Sequence, residues 1–214
     1  RVSIAGRLVA DLLVTAGVNR VLAMTLHAPQ VHGFFSVPVD HLHALRELAG
    51  HFRGRDLSNT TVVSPDLGYA KSAAAFARRL GVPVAAGAKQ RFSDDSVSIS
   101  AIIGEVAGRD VIVLDDEIAR GTTLTELLAR LREQEVRSIS VACTHGIFAD
   151  GAVEKLAAQP DVQEIVCTNT VPIPDYKRDP KLHIISVAPA LAEAIRRIHD
   201  GESVSALFDA VPPG

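Results

Sequence analysis

The segment Val111 to Thr123, VIVLDDEIARGTT, sets three consecutive carboxylates after an apolar run and follows them at once with an Arg-Gly-Thr-Thr turn. Gly121, Thr122 and Thr123, opening a helical pattern, offer backbone N–H groups and hydroxyls to a phosphate, helped by the helix dipole. Asp115 and Asp116 cannot hold that phosphate. They suit ribose hydroxyls, which need acceptors, or a divalent cation, which needs hard oxygen ligands. A sugar phosphate, an anion at one end and a polyol at the other, answers both halves. Arg120 adds a guanidinium fork able to grip the phosphate. The plainer alternative is a strand that ends in solvated acids and is followed by a Thr cap.

The elements that must carry these residues alternate along the chain. Helical patterns cover 3–16, 40–52, 69–80, 122–134, 150–158 and 189–199, with a helix-like stretch between the polar segment 88–96 and residue 107. Strand patterns cover 20–26, 61–64, 82–86, 110–114, 138–143 and 164–169, with a short run at 183–187. This alternation predicts an α/β fold with a parallel sheet covered by helices on both faces. Ligands in such sheets bind beyond the carboxyl ends of the strands. The predicted strand exits carry His27, then Pro65-Asp66-Leu67-Gly68, then Lys89-Gln90-Arg91, then the acid-rich segment, then Thr144-His145. An imidazole such as His27 can meet a phosphate oxygen or a metal through one nitrogen. His32, His41, His43 and His51 lie close in number but lack zinc-like spacing.

The 214 residues, 47% of them hydrophobic, suffice for a substantial core. A net charge of −3 gives no electrostatic argument for nucleic acid, and no apolar run approaches a membrane span of roughly 20 residues. Cys143 and Cys167 have no motif spacing, read as buried apolar filler, and fit a reducing, cytoplasmic setting. The sequence opens at Arg1 directly into a helical pattern, which is read as a break rather than a natural start.

Several segments in order resemble one family, the ribose-phosphate pyrophosphokinases, or phosphoribosyl-diphosphate (PRPP) synthetases, of the type I phosphoribosyltransferase fold. They are Leu26-His27-Ala28-Pro29-Gln30-Val31-His32-Gly33-Phe34-Phe35 with Val37-Pro38-Val39-Asp40, Ser64-Pro65-Asp66-Leu67-Gly68, Lys89-Gln90-Arg91, the acid-rich segment, Ala142-Cys143-Thr144-His145, and a tail around Ala192 to Phe208. The resemblance implies transfer of the β,γ-diphosphoryl group of ATP to the anomeric hydroxyl of ribose 5-phosphate, with Mg2+, yielding PRPP and AMP. It implies Lys89 and Arg91 as catalytic cations on a loop, since charge spread over a moving phosphoryl group is met by positioned cations. It further implies His27 as a ligand of ATP phosphates and of the metal, Asp66 as a second metal ligand, and Asp115, Asp116, Arg120, Gly121, Thr122 and Thr123 as the ribose 5-phosphate site. A homo-oligomer is expected by the same analogy. Residues 1–38 are expected to be the end of a similar, truncated N-terminal domain, 39–188 the phosphoribosyltransferase-like domain, and 189–214 a C-terminal helix and tail.

The chain departs from the family pattern at Thr25, where an Asp that could orient His27 is usual, and at Tyr69, which replaces a glycine. Lys71 could compensate there with a charge. Ala119, Arg120 and Thr122 alter the sugar-phosphate loop. Three readings stay open: a divergent PRPP synthetase, a homologue that binds ribose phosphate or regulates without turnover, and a phosphoribosyltransferase that consumes PRPP.

Overall fold

The computed structural model describes residues 4–91 and 97–207. Helix α1 (Ile4–Thr15) leads to strand β1 (Val21–Met24), a 3-10 turn at Pro29–Phe34 and strand β2 (Val39–Leu42), which pairs parallel with β1 as a small separate sheet. Then follow α2 (Leu45–Phe52), β3 (Thr60–Ser64), α3 (Ala70–Leu80), β4 (Val84–Arg91), β5 (Val97–Ile103), β6 (Asp110–Ile118), α4 (Thr122–Glu133), β7 (Ser138–Gly146), α5 (Ala152–Ala157), β8 (Val162–Thr168), β9 (Leu182–Ile185) and α6 (Ala188–His199). The seven strands β3 to β9 form one sheet in the order β5-β4-β3-β6-β7-β8-β9, parallel except for the antiparallel edge strand β5.

The period of two in β6 explains why helices must cover both faces. Val111 and Val113 enter one hydrophobic cluster, with Leu124, Leu127, Leu128 and Leu131 of α4 and Val153 and Leu156 of α5. Ile112 and Leu114 enter the other, with Leu45, Leu48 and Phe52 of α2 and Phe76 of α3. The four leucines of α4 fall at helical spacing on one face, and burying each contributes roughly 1.5–3 kcal/mol. Cys143 and Cys167 are buried, unbonded and paired in register on β7 and β8, as apolar filler would be. Among the described residues no helix is long and apolar enough to cross a membrane.

The structure corrects the sequence reading in three places. The first residues of the expected 40–52 helix are strand β2, because β1 offers Val39–Leu42 a parallel partner. The helix-like stretch before residue 107 is strand β5, whose Val97-Ser98-Ile99-Ser100 alternation suits an edge strand. Lys89 and Arg91, expected on a loop, belong to the backbone of β4, opposite Ile99 and Val97 of β5.

Candidate functional site

Strand β6 does not stop at Leu114. It continues through Asp115, Asp116 and Glu117 to Ile118, because β7 pairs with it as far as Ile118↔Gly146. The acids are therefore held by a sheet neighbour instead of sitting on a free loop. They border a cleft of about 380 Å³ at the carboxyl ends of the strands, lined by His27, Pro65, Asp66, Asp115, Asp116 and residues 117–124. The cleft brings together His27, Asp66, Asp115, Asp116, Arg120, Gly121, Thr122 and Thr123, all anticipated from the sequence.

His27 follows β1 and reaches across to β6, where its Nδ1 lies 2.6 Å from Asp116 Oδ2. The His27 side chain is 70% exposed and that of Asp116 only 10%, so the pair joins a cleft-facing imidazole to a buried carboxylate. The hydrogen bond to Asp116, and then its charge, raise the His27 pKa above the ordinary imidazole value. The carboxylate that orients His27, absent from the neighbouring position because Thr25 stands there, thus comes from β6.

Asp115 and Asp116 each accept the next backbone N–H at 2.9 Å, from Asp116 and Glu117. Burial, together with the hydrogen bond and charge of Asp116, pushes the Asp115 carboxyl up to about 8. Two carboxylates so close favour a shared proton or a cation. Asp66 contributes to the same field from the β3 exit. Its turn is fixed locally: Ser64 Oγ–H donates to the Asp66 carbonyl at 2.6 Å, and Asp66 Oδ1 accepts the Tyr69 N–H at 3.1 Å. Gly87 of β4 makes room for that turn, since a Cβ there would stand 2.6 Å from the Pro65 carbonyl oxygen. Tyr69 packs against the α2–α3 core and is not among the cleft-lining residues. Its burial raises the phenol above its ordinary range.

The phosphate-type turn opens α4. Gly121 caps the helix at φ +72, a conformation that favours glycine, and no side chain caps it. Thr122 and Thr123 form the first turn. Arg120 Nε pairs with Asp150 Oδ2 at 3.0 Å, both side chains well exposed, so the guanidinium is engaged outside the turn. Such an exposed pair is weak and can exchange partners. The side chains of Lys89 and Arg91 lie outside the described residues.

Two histidines with no role assigned by sequence support the site from behind. The Leu26 N–H donates to His41 Nε2 at 2.7 Å, and His145 Nε2–H donates to the Thr25 carbonyl at 2.8 Å. Burial first, then the nearby His43 and His32, push His41 down to about 4, which keeps its ring neutral and able to accept. In the sequence His145 is marked by its place at a strand exit and by the Cys-Thr-His segment. Among the described residues no group of three or more His, Cys, Asp and Glu side chains is arranged to hold a metal by itself.

The comparisons with known proteins agree with this architecture. The sequence model of the family described as phosphoribosyl synthetase-associated domain matches residues 97–209. A Streptomyces coelicolor protein assigned to the ribose-phosphate pyrophosphokinases is 74% identical over 214 residues, covering all of this chain and 68% of that protein. The ribose-phosphate pyrophosphokinase of Deinococcus radiodurans is 48% identical, covering 97% of this chain and 66% of its own length. The crystal structure of phosphoribosylpyrophosphate synthetase from Mycobacterium smegmatis superposes with a TM-score of 0.83 at 39% identity, over 94% of this chain and 65% of that one. The chain therefore spans about two thirds of the length of these relatives. With a phosphoribosyltransferase-like sheet, an acid pair and a Gly-Thr-Thr turn on one rim, and with relatives this similar along its whole length, the chain belongs to the ribose-phosphate pyrophosphokinase (PRPP synthetase) family.

Proposed function

We propose that the protein transfers the β,γ-diphosphoryl group of ATP to the anomeric hydroxyl of ribose 5-phosphate, producing PRPP and AMP. The observation that carries this reading is the single cleft in which an imidazole, an acid pair and a Gly-Thr-Thr turn converge. The turn at the α4 N-terminus suits the 5-phosphate, with Arg120 free to leave Asp150 for it. Asp115 and Asp116 suit the ribose hydroxyls on the near side of that phosphate. The Asp116 carboxylate at Nδ1 favours the protonated form of His27 and leaves Nε2 as the nitrogen that would contact ATP phosphate oxygens. Lys89 and Arg91 are assigned, from the family resemblance, to the charge on the diphosphoryl group in flight.

Mg2+ is the proposed cation, and the donor set fits it in a particular way. Mg2+ takes one or two carboxylates and otherwise waters and substrate phosphates, so it does not require a cage of protein ligands. Asp66 and the acid pair supply hard oxygens; a protonated His27 would serve the phosphates first. Held there by Asp66 and the acid pair, the cation would supply positive charge against the negative charge of the diphosphoryl group. A homo-oligomer is also proposed, by analogy with the family.

The second reading, binding without turnover, draws support from Arg120 being paired with Asp150 and from Ala119 at the loop. The experiment that separates the two is AMP formation by the natural full-length protein from ATP, Mg2+ and ribose 5-phosphate. AMP appearing only with the sugar phosphate supports the synthetase. Ribose 5-phosphate binding without AMP supports the second reading.

A further inference from the structure

The tripeptide Thr25-Leu26-His27 is held at every joint, and the holders come from three strands. Thr25 has φ +46, in the left-handed region where a β-branched residue is a rare and strained outlier. Such a conformation persists only where surrounding contacts over-determine it. Here the Thr25 N–H donates to the Leu42 carbonyl at 2.7 Å, and its Oγ1 accepts the Ala44 N–H at 3.2 Å. Its side chain is buried, with Thr144 Oγ1 at 3.4 Å. Its carbonyl accepts from His145, the next N–H donates to His41, and two residues on His27 meets Asp116.

The register makes the arrangement a single unit. His145 on β7 pairs with Glu117 on β6, the residue after Asp116. Adjacent strands therefore grip the two ends of the tripeptide, one by its carbonyl and the other by its imidazole. The His145 ring is itself fixed, with Nδ1 2.8 Å from Thr170 Oγ1 beyond β8. We infer that His145, aided by His41, is a positioning residue: it locks Thr25 in its left-handed turn and thereby sets the His27 imidazole against Asp116 at the cleft. The inference rests on the function proposed above only for its effect on turnover. Its geometric content stands by itself.

Amide hydrogen exchange by NMR on the natural full-length protein, with AMP formation measured in parallel, tests it. In the unaltered protein the Leu26 amide is expected to exchange at least about 100-fold more slowly than in a free peptide. His145→Phe keeps a ring and removes the donor; the expected result is at least about tenfold faster exchange at Thr25 and Leu26, whose N–H groups bond Leu42 and His41. It is also expected to lower kcat about 10- to 100-fold, the usual cost of misplacing a catalytic group by about 1 Å, with KM for ribose 5-phosphate little changed. His145→Gln keeps an N–H donor and is expected to restore much of both. A Leu26 amide exchanging at the free-peptide rate in the unaltered protein overturns the clamp without any variant. Unchanged exchange in a folded His145→Phe variant overturns the role of His145, as does faster exchange with unaltered kcat in an active enzyme. Equal losses in the Phe and Gln variants, tracking a lowered melting temperature, reduce His145 to a structural residue and also overturn it. Absence of AMP from the unaltered protein sinks the proposed reaction, and the exchange data then decide the clamp alone.

Discussion

At the scale of single residues, Asp115 holds the cost of the site. Its carboxyl is raised to about 8 by burial and by Asp116. A group whose folded pKa lies above its unfolded value contributes stability below the unfolded pKa and loses it as pH rises through the folded one. Folding stability is therefore expected to decline between about pH 4 and pH 8 on account of this group. Asp115→Asn, which keeps an oxygen to accept the Asp116 N–H, is expected to flatten that decline and to stabilise the protein by about 1–2 kcal/mol at pH 8. Urea titrations at pH 5 and pH 8 check this, and equal pH slopes for the two proteins would refute it. The same substitution is expected to weaken ribose 5-phosphate binding, measured by calorimetry. Stability gained where binding is lost marks a residue kept for chemistry.

At the scale of elements, the close approach of β4 to the β3 exit positions Asp66. Gly87→Ala would place a Cβ 2.6 Å from the Pro65 carbonyl oxygen, and neither backbone can yield cheaply. The expected outcome is a loss of about 1–3 kcal/mol, as for other overpacked sites, with weaker Mg-dependent nucleotide binding. Thermal unfolding and a binding titration on one sample read both. Much of this layer is legible in the sequence, because β6 announces itself by the continuous apolar run Val111-Ile112-Val113-Leu114 and α4 by an apolar period of 3.6. What escaped depended on partners far away in sequence. The acids looked like a loop because carboxylates disfavour strands, and only the pairing with β7 keeps them in one. The His27–Asp116 contact spans 89 positions, and no local pattern signals it. Strand β5 is different: its Val97-Ser98-Ile99-Ser100 alternation is already present in the sequence.

At the scale of the whole molecule, the two rims of the sheet are specialised differently. The cleft occupies the carboxyl rim, whereas Glu164, near the start of β8, ties α2 to the sheet at the other. It meets His51 at 2.8 Å, Arg55 at 2.5 Å and Ser140 at 2.9 Å. Burial alone would raise this carboxyl, but hydrogen bonds from Arg55, His51 and Ser140 hold it down to about 2. Glu164→Gln is expected to destabilise the fold by about 2 kcal/mol while leaving nucleotide and sugar-phosphate affinities unchanged, as thermal melts and calorimetry would register. An affinity change would mean that the rims communicate. The continuation of β6 through its acids has one more consequence. With β7 bonded alongside, Asp115 and Asp116 cannot swing apart, so their repulsion has to be quenched by whatever positive charge is at hand. At neutral pH a proton on Asp115 serves, beside the His27 imidazole on Asp116, and under the proposed function a Mg-nucleotide entering the cleft would displace that proton. The protein should behave as an ion exchanger: at pH 7 its heat of Mg-nucleotide binding should vary with the ionisation enthalpy of the buffer, and above pH 9 that dependence should vanish.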